Sequence, residues 1–268
     1  MVSTLGLNLL RRHSVSTLLG FLLLFIALDA ASTVASAYAG EWRVTPIRLT
    51  LERGARSAVV NVQNDSDAPM SFQIKAMEWA QDIRGEDRYT ETAELIYFPK
   101  QLMIPAKEER TIRVGIKGTM GAREKTYRLF IEEVASPRQG TENEQTQIAV
   151  TIRFAVPLFI SPAMEAVAGE IIEAKLHGGT LDTTLKNNGN VHFRVKLVSL
   201  SGMDSRGVTI FTQETNGWYL LSGASRIYSA VIPEAICSQL DAIDIQVQTD
   251  RLNFSRKIDA DPSMCVAQ

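Results

Sequence analysis

The sequence is dominated by short segments in which apolar and polar residues alternate, separated by turn residues. In an extended strand, side chains two positions apart point to the same face, so each segment can bury one face of a sheet. No long segment carries apolar residues at helical spacing. The pattern predicts an all-β protein, and several short strands separated by turns favour β-sandwiches. In the first half, the alternating segments are 57–62, 71–77, 127–132 and 147–156.

Two prolines interrupt the pattern before strand-like segments resume. Pro157 and Pro162 bracket an apolar stretch, and proline lacks a ladder donor, so it favours a strand end. A domain boundary is therefore expected within 160–168, and we divide the mature chain into domains at 40–162 and 163–268. Both have a usual domain size. The second-half segments are 173–176, 180–186, 191–200, 208–213, 226–232 and 243–249, with a turn at 187–190.

The first 39 residues have the composition of a secretory signal peptide. Arg11, Arg12 and His13 precede an apolar run at 18–28, and the small-residue motif Ala37-Tyr38-Ala39 follows. Cleavage after Ala39 is favoured over cleavage after Ala37. The alternative is an uncleaved anchor, but the apolar run is shorter than the roughly 20 residues of a spanning helix. We expect an exported protein.

Charge and motifs argue against several functional classes. The formal net charge is −2, so no basic excess favours nucleic acid as a partner. After the leader only His177 and His192 remain, and each is isolated. The sequence contains no nucleophile elbow, Gly-rich phosphate loop or H-E-x-x-H motif. We expect a binding protein rather than an enzyme, with no metal and no other cofactor.

The two cysteines, Cys237 and Cys265, lie near the end of the chain. In an exported protein, two cysteines predict one structural disulfide. Free thiols are the alternative.

Six regions of the mature chain form a series whose order and spacing are informative. They are VTPIRLTL at 44–51, YFPKQLMIPA at 97–106 with RTIRV at 110–114, YRLFIEE at 127–133, IAVTIRFAVPLF at 148–159, NNGNVH at 187–192 and GWYLLSG at 217–223. The series resembles the periplasmic chaperones of the chaperone–usher pilus pathway, especially their archaic branch.

The resemblance implies two immunoglobulin-like β-sandwich domains in a boomerang arrangement. It also implies donor-strand complementation, in which the chaperone completes a pilus subunit that lacks one strand. The expected partners are pilus subunits and an outer-membrane usher, the expected location is the periplasm, and the unbound chaperone could self-associate. No nucleotide or metal is required.

The segment 148–159 is the candidate donor strand. Ile148, Val150 and Ile152 share one face of an extended strand, and Phe154 continues the row. Such a row suits successive pockets in a partner's groove, while backbone bonds add affinity that does not depend on sequence. The alternative from periodicity alone is that this face packs only into the protein's own core.

The resemblance also implies that basic residues anchor the subunit's C-terminal carboxylate. Arg48 matches the N-terminal arginine of the family's anchoring pair. The second anchor is often a lysine, but Pro157 occupies that position, so Arg128 or Arg153 is expected to substitute. Arginine can grip a carboxylate through two parallel hydrogen bonds. The alternative is that these arginines are solvated residues on a strand face.

Two other classes of function compete with this interpretation. A secreted structural or adhesive β-sandwich subunit should carry a detachable N-terminal donor extension, whereas strand-like residues begin here at Val44. A periplasmic hydrolase or a carbohydrate-binding module is the second alternative. The tryptophans Trp42, Trp79 and Trp218 are scattered in the sequence, which gives a glycan platform little support.

Overall fold

A computed structural model describes residues 41–52, 54–134 and 151–266, which are almost entirely β-strands. The all-β prediction is confirmed. The predicted signal peptide, 1–39, lies outside the described residues. The first-half strands are β1 (Trp42–Thr45), β2 (Leu49–Leu51), β3 (Ser57–Asn64), β4 (Met70–Gln81), β5 (Asp87–Glu91), β6 (Leu95–Phe98), β7 (Gln101–Ile104), β8 (Glu109–Ile116), β9 (Lys125–Val134) and β10 (Arg153–Ile160).

These strands form two sheets around one core. The first sheet has the order β1-β3-β8-β6, and the second has the order β2-β10-β9-β4-β5 with β7 beside β4. Their pairs are antiparallel except the parallel pair of β2 and β10. Alternate residues point inward, as the sequence pattern predicts. On β9, for example, Tyr127, Leu129 and Ile131 are buried in this core.

The second half repeats the arrangement with eight strands. They are β11 (Gly169–His177), β12 (Thr180–Asn187), β13 (Phe193–Met203), β14 (Thr209–Asn216), β15 (Tyr219–Leu220), β16 (Ser225–Val231), β17 (Ala242–Thr249) and β18 (Asn253–Asp259). One sheet has the order β11-β12-β16, and the other has the order β14-β13-β17-β18 with β15 beside β13. A separate hydrophobic core lies between them.

A disulfide closes one end of the second half. Cys237 ends a one-turn helix, α1 (Glu234–Cys237), and Cys265 ends a short 3-10 helix, Pro262–Cys265. The two residues are bonded and buried in the second core, and they are 28 positions apart in sequence. The bond therefore ties the end of the chain to the helix that precedes β17.

Two buried asparagines organise the turns after β3 and β12. The Asn64 side chain is fully buried, and its amide donates to the carbonyl oxygens of Ala68 and Ile104 at 2.8 and 3.0 Å. The Asn187 amide donates to the carbonyl oxygens of Val191 and Leu220, both at 2.9 Å. Because buried polar groups are costly unless hydrogen-bonded, each asparagine stabilises one particular path of the chain.

Within the described residues, no helix is both long enough and apolar enough to cross a membrane.

Candidate functional site

Within the described residues of the first half, β10 has a partly unpaired backbone edge. Over its whole length, from Arg153 to Ile160, β10 pairs with β9. On its other side, β2 pairs only with Leu158, Phe159 and Ile160. Among the described residues, the part of β10 from 153 to 157 therefore has a strand neighbour on one side only. Such an edge offers unpaired N–H and C=O groups to an added strand.

The side chains of this strand become less buried toward its start. Val156 and Leu158 are buried in the first core, at 2% and 0% exposure. Phe154 is half-buried and packs edge-on against Trp42, with ring centroids 4.7 Å apart. Ile152, just before β10, is also half-buried against this core. The two described members of the predicted donor row, Ile152 and Phe154, thus face the first core. Its first two members, Ile148 and Val150, lie outside the described residues.

Arg128 lies next to this edge on the opposite face of the sheet. It is the register partner of Pro157 and is only 4% exposed. Its guanidinium stacks over Trp79 at 3.7 Å, and Nη1 donates to the Ala155 carbonyl oxygen at 3.0 Å. Burial lowers the pKa of Arg128, and the neighbouring Asp87 carboxylate opposes that shift. Arginine nevertheless stays protonated in proteins, so the site holds a buried positive charge.

Arg48 lies beside the same region, directly before β2. It directly precedes Leu49, the register partner of Leu158, and is exposed. Within the part of the chain that the structure describes, its side chain makes no ion pair or hydrogen bond. The fold therefore brings Arg48 and Arg128 to opposite sides of β10 at Pro157 and Leu158, although 80 positions separate them in sequence.

Arg153 is placed elsewhere. It lies four positions before Pro157 on β10, which corresponds to about 13 Å at the usual strand rise. Its Nε forms an ion pair with Glu132 at 2.8 Å, and its guanidinium covers the Phe130 ring at 3.9 Å. The structure does not bring this predicted anchor together with Arg48 and Arg128. The contacts of Arg153 instead link β10 to β9.

Residues from both halves form an aromatic cluster at the site, and the sequence did not predict this cluster. Trp79 and Phe159 from the first half bury against Leu221 from the second, in a cluster separate from both sandwich cores. Tyr219 packs on Trp79, with ring centroids 5.4 Å apart. His192, isolated in the sequence, stacks on Phe159 at 3.6 Å. No local sequence signal could reveal this cluster, because its members come from distant segments.

Hydrogen bonds on both sides of the aromatic cluster join the halves. On one side, the Gln81 side chain donates to the Tyr219 carbonyl oxygen and accepts from the Leu221 N–H, at 2.9 and 3.0 Å. On the other, the buried Glu124 carboxylate accepts from the backbone N–H of His192 at 2.9 Å and contacts its Nδ1 at 2.7 Å. The two halves are therefore held in one arrangement around Arg128.

Histidines and acidic residues are scattered in the described part of the chain. Within the described ranges, no three His, Cys, Asp or Glu side chains are grouped closely enough to hold a metal ion. His177 is exposed at the end of β11, and His192 is engaged with Glu124. The arrangement offers a strand edge and a buried cation, which are features suited to binding an extended chain.

Comparisons with known proteins agree with this geometry. Residues 42–165 match the family model described as "Pili and flagellar-assembly chaperone, PapD N-terminal domain". A comparison with curated proteins gave no match. Among solved structures, the fold is similar to a chain of the CsuC–CsuE chaperone–tip adhesion subunit pre-assembly complex from archaic chaperone-usher Csu pili of Acinetobacter baumannii. That chain is 19% identical with a TM-score of 0.55, and the match covers 81% of this chain and 97% of that one.

A second similar structure is the Salmonella enterica SafA pilin in complex with the SafB chaperone. Here the identity is 16%, the TM-score is 0.53, and the match covers 82% of this chain and 97% of that one. Identities this low establish likeness of fold alone, so the family assignment rests on the family model and on the residues that it matches. Residues 42–165 belong to the pilus-assembly chaperone family, as its PapD N-terminal domain.

Proposed function

We propose that the protein is a periplasmic chaperone that binds pilus subunits by donor-strand complementation and passes them to an outer-membrane usher. The observation that carries the proposal is the open edge of β10 from 153 to 157, next to two arginines. A subunit lacking one strand exposes an apolar groove and unpaired backbone groups, both of which promote aggregation. A strand added from another protein covers both.

The donor row is proposed to run from Ile148 through Phe154. Ile152 and Phe154 are half-buried, so part of each apolar side chain remains available to a partner. Side chains on one face recur about every 6–7 Å along a strand, which sets the register of insertion. Backbone bonds along the open edge of β10 supply affinity that is independent of the subunit's sequence.

Arg128 and Arg48 are proposed to hold the carboxylate that ends the subunit chain. Arg128 has one hydrogen bond to protein, and its Nε lacks a partner among the described residues. A buried guanidinium with unused donors favours a carboxylate ligand, which can take two parallel hydrogen bonds. Arg153 is proposed to fix β10 against β9 through Glu132, because it is paired and distant from the other two arginines.

Transfer to an usher requires a surface that stays free while a subunit is bound. Val59 and Phe98 are exposed on the outer face of the β1-β3-β8-β6 sheet, where both pair with Arg113 of β8. Ile96 extends this patch at 56% exposure. β10 belongs to the other sheet, so a subunit on its edge leaves the patch accessible. We assign the patch of Val59, Ile96 and Phe98 to the usher.

Location and domain limits complete the proposal. Residues 1–39 would direct export to the periplasm and be removed. Domains at 40–162 and 163–268 would form the two sandwiches. Without a subunit, the open edge of β10 could pair with a second copy of the chain, because unpaired strand edges template such pairing.

The test is co-expression with candidate subunits encoded beside this gene. Val150→Asp places a charge in the donor row, and we expect it to abolish a stable chaperone–subunit complex while the chaperone keeps its melting temperature. Thr151→Asp is the matched control, because the neighbouring residue faces the other side of an extended strand. If Val150→Asp still protects subunits from aggregation, the donor-strand assignment is wrong.

A further inference from the structure

Arg128 lies in an aromatic cage to which both halves contribute. Its guanidinium carbon is 3.7 Å from the Trp79 ring centroid and 5.7 Å from those of Trp218 and Tyr219. Trp79 is 1% exposed, whereas Trp218 is 39% exposed. Trp218 is therefore the most exposed of the three aromatic walls.

Asp87 is a carboxylate already placed beside this cation, in a loose ion pair that is not hydrogen-bonded. Its Oδ2 is 3.9 Å from Arg128 Nη2, which is too long for a hydrogen bond. The same oxygen accepts from Trp218 Nε1 and from the Tyr89 hydroxyl, both at 3.2 Å. Oδ1 accepts from Gln81 Nε2, also at 3.2 Å. Asp87 is thus oriented toward Trp218, Tyr89 and Gln81, and donors of Arg128 remain unused.

The structure also provides space for the Trp218 ring to move. A cavity of about 520 Å³ between the β4–β5 turn and the second half is lined by Trp218, Asp87 and Arg226. The backbone before the ring packs closely on Val195, since a Cβ at Gly217 would lie 2.5 Å from that side chain.

We propose that Trp218 and Asp87 form a gate over Arg128 that a chain-terminal carboxylate opens. The incoming carboxylate takes the free donors of Arg128, Asp87 loses its counter-ion, and Trp218 breaks its bond to Asp87 and turns into the cavity. This inference rests on the proposed function, in which Arg128 anchors the end of a subunit. The gate explains how a chaperone protects a buried cation until its partner arrives.

The gate also determines specificity, because Asp87 competes with the ligand. Two carboxylates at one cation repel each other, so a carboxylate alone binds weakly. A ligand that also pairs its backbone with β10 gains enough free energy to displace Asp87. The site therefore selects a terminal carboxylate carried on an extended, apolar strand over free carboxylates.

The gate can be observed through the indole N–H signals of the three tryptophans in nuclear magnetic resonance spectra. Trp218 Nε1 donates to a carboxylate, whereas Trp42 and Trp79 Nε1 have no partner among the described residues, so the Trp218 signal can be distinguished from theirs. The probe is a ten-residue peptide with valine at alternate positions, prepared with a free C-terminal carboxylate or with a carboxamide. We expect the carboxylate form to shift the Trp218 signal and the carboxamide form to leave it in place.

Asp87→Asn should raise affinity for the carboxylate peptide about tenfold, a typical coupling between two ligands that share a site. Asp244→Asn is the control, since the Asp244 side chain accepts a hydrogen bond only from Gln246 within the described chain. Trp218→Phe keeps an aromatic ring but removes the hydrogen bond to Asp87. It should also raise affinity for the carboxylate peptide, measured by the fluorescence anisotropy of a fluorescein-labelled peptide.

Three outcomes separate the gate from the anchor. If the carboxylate peptide binds in preference to the carboxamide but leaves the Trp218 signal in place, or if either variant fails to gain affinity, the gate is refuted and the anchor stands. If the two peptides bind equally, both proposals are refuted. A gain in both variants with Asp244→Asn unchanged supports the gate.

Discussion

Phe159→Ala tests whether the aromatic cluster couples the two halves. Phe159 lies on β10 but points away from the first sandwich core, and it is fully buried against Trp79 and Leu221. Its ring also stacks on His192. Removing this ring should leave the first core intact but create a void in the apolar contact between the halves.

The expected cost follows from the burial of the ring. Truncation of a fully buried phenylalanine to alanine typically lowers the free energy of unfolding by about 3–5 kcal/mol. For Phe159 this loss falls on the contact between the halves, where hydrogen bonds such as those of Gln81 and Glu124 would remain. We therefore expect unfolding of the variant to separate into two transitions, whereas the unaltered protein unfolds in one.

Phe193→Ala is the matched control. Phe193 is also fully buried, but it lies inside the second core and packs on Phe254 at 6.2 Å between ring centroids. Its truncation should cost a similar free energy without splitting the transition. Urea denaturation followed by tryptophan fluorescence and by far-ultraviolet circular dichroism measures both effects.

The reasoning fails in either of two ways. If the unaltered protein already unfolds in two transitions, the cluster supplies no coupling. If Phe159→Ala shifts a single transition just as Phe193→Ala does, the ring contributes burial but does not join the halves. A split seen only in Phe159→Ala supports the assignment and predicts weaker subunit capture, because Arg128 would lose the fixed position of Tyr219.

Two further predictions address residues around the site. Arg153→Ala should leave subunit capture in pull-down assays unchanged and cost about 1 kcal/mol or less of stability, because its ion pair with Glu132 is half-exposed; a large loss of capture would return Arg153 to the anchor. Phe98→Asp should keep the chaperone–subunit complex but prevent its retention on usher-containing membranes, and unimpaired retention would exclude the patch around Phe98.

The sequence was most informative where one strand buries one face. The alternation of Tyr127, Leu129 and Ile131 predicted β9 correctly, because burial of every second side chain follows from the geometry of a strand. The same pattern could not reveal which strands become neighbours. Pairing depends on contacts between distant segments, so the open edge of β10 emerges only from the pairing of β2 with its last three residues.

The second-half contribution to the site was least predictable. Trp79 and Trp218 look scattered in the sequence, yet both contact Arg128. His192 looks like an isolated histidine beside a turn, yet it engages Glu124 from the first half. Contacts between halves involve single residues on turns and strand ends, and these positions carry no periodic signal. From the sequence, Arg128 and Arg153 were equally good candidates for the second anchor. In the structure, Arg128 is buried beside the open edge, whereas Arg153 is paired with Glu132.

The register of β9 and β10 explains how the proposed anchor keeps a positive charge although residue 157 is a proline. The resemblance to pilus chaperones places a lysine there, and Pro157 cannot supply a positive charge. Arg128 is the cross-strand partner of Pro157, and directly opposite residues in a sheet project from the same face. A charge on β9 therefore occupies nearly the same position as one on β10 would. Because Arg128 comes from an inner strand, its charge is buried in a cage, and that burial is the reason for the gate that we propose for Trp218 and Asp87.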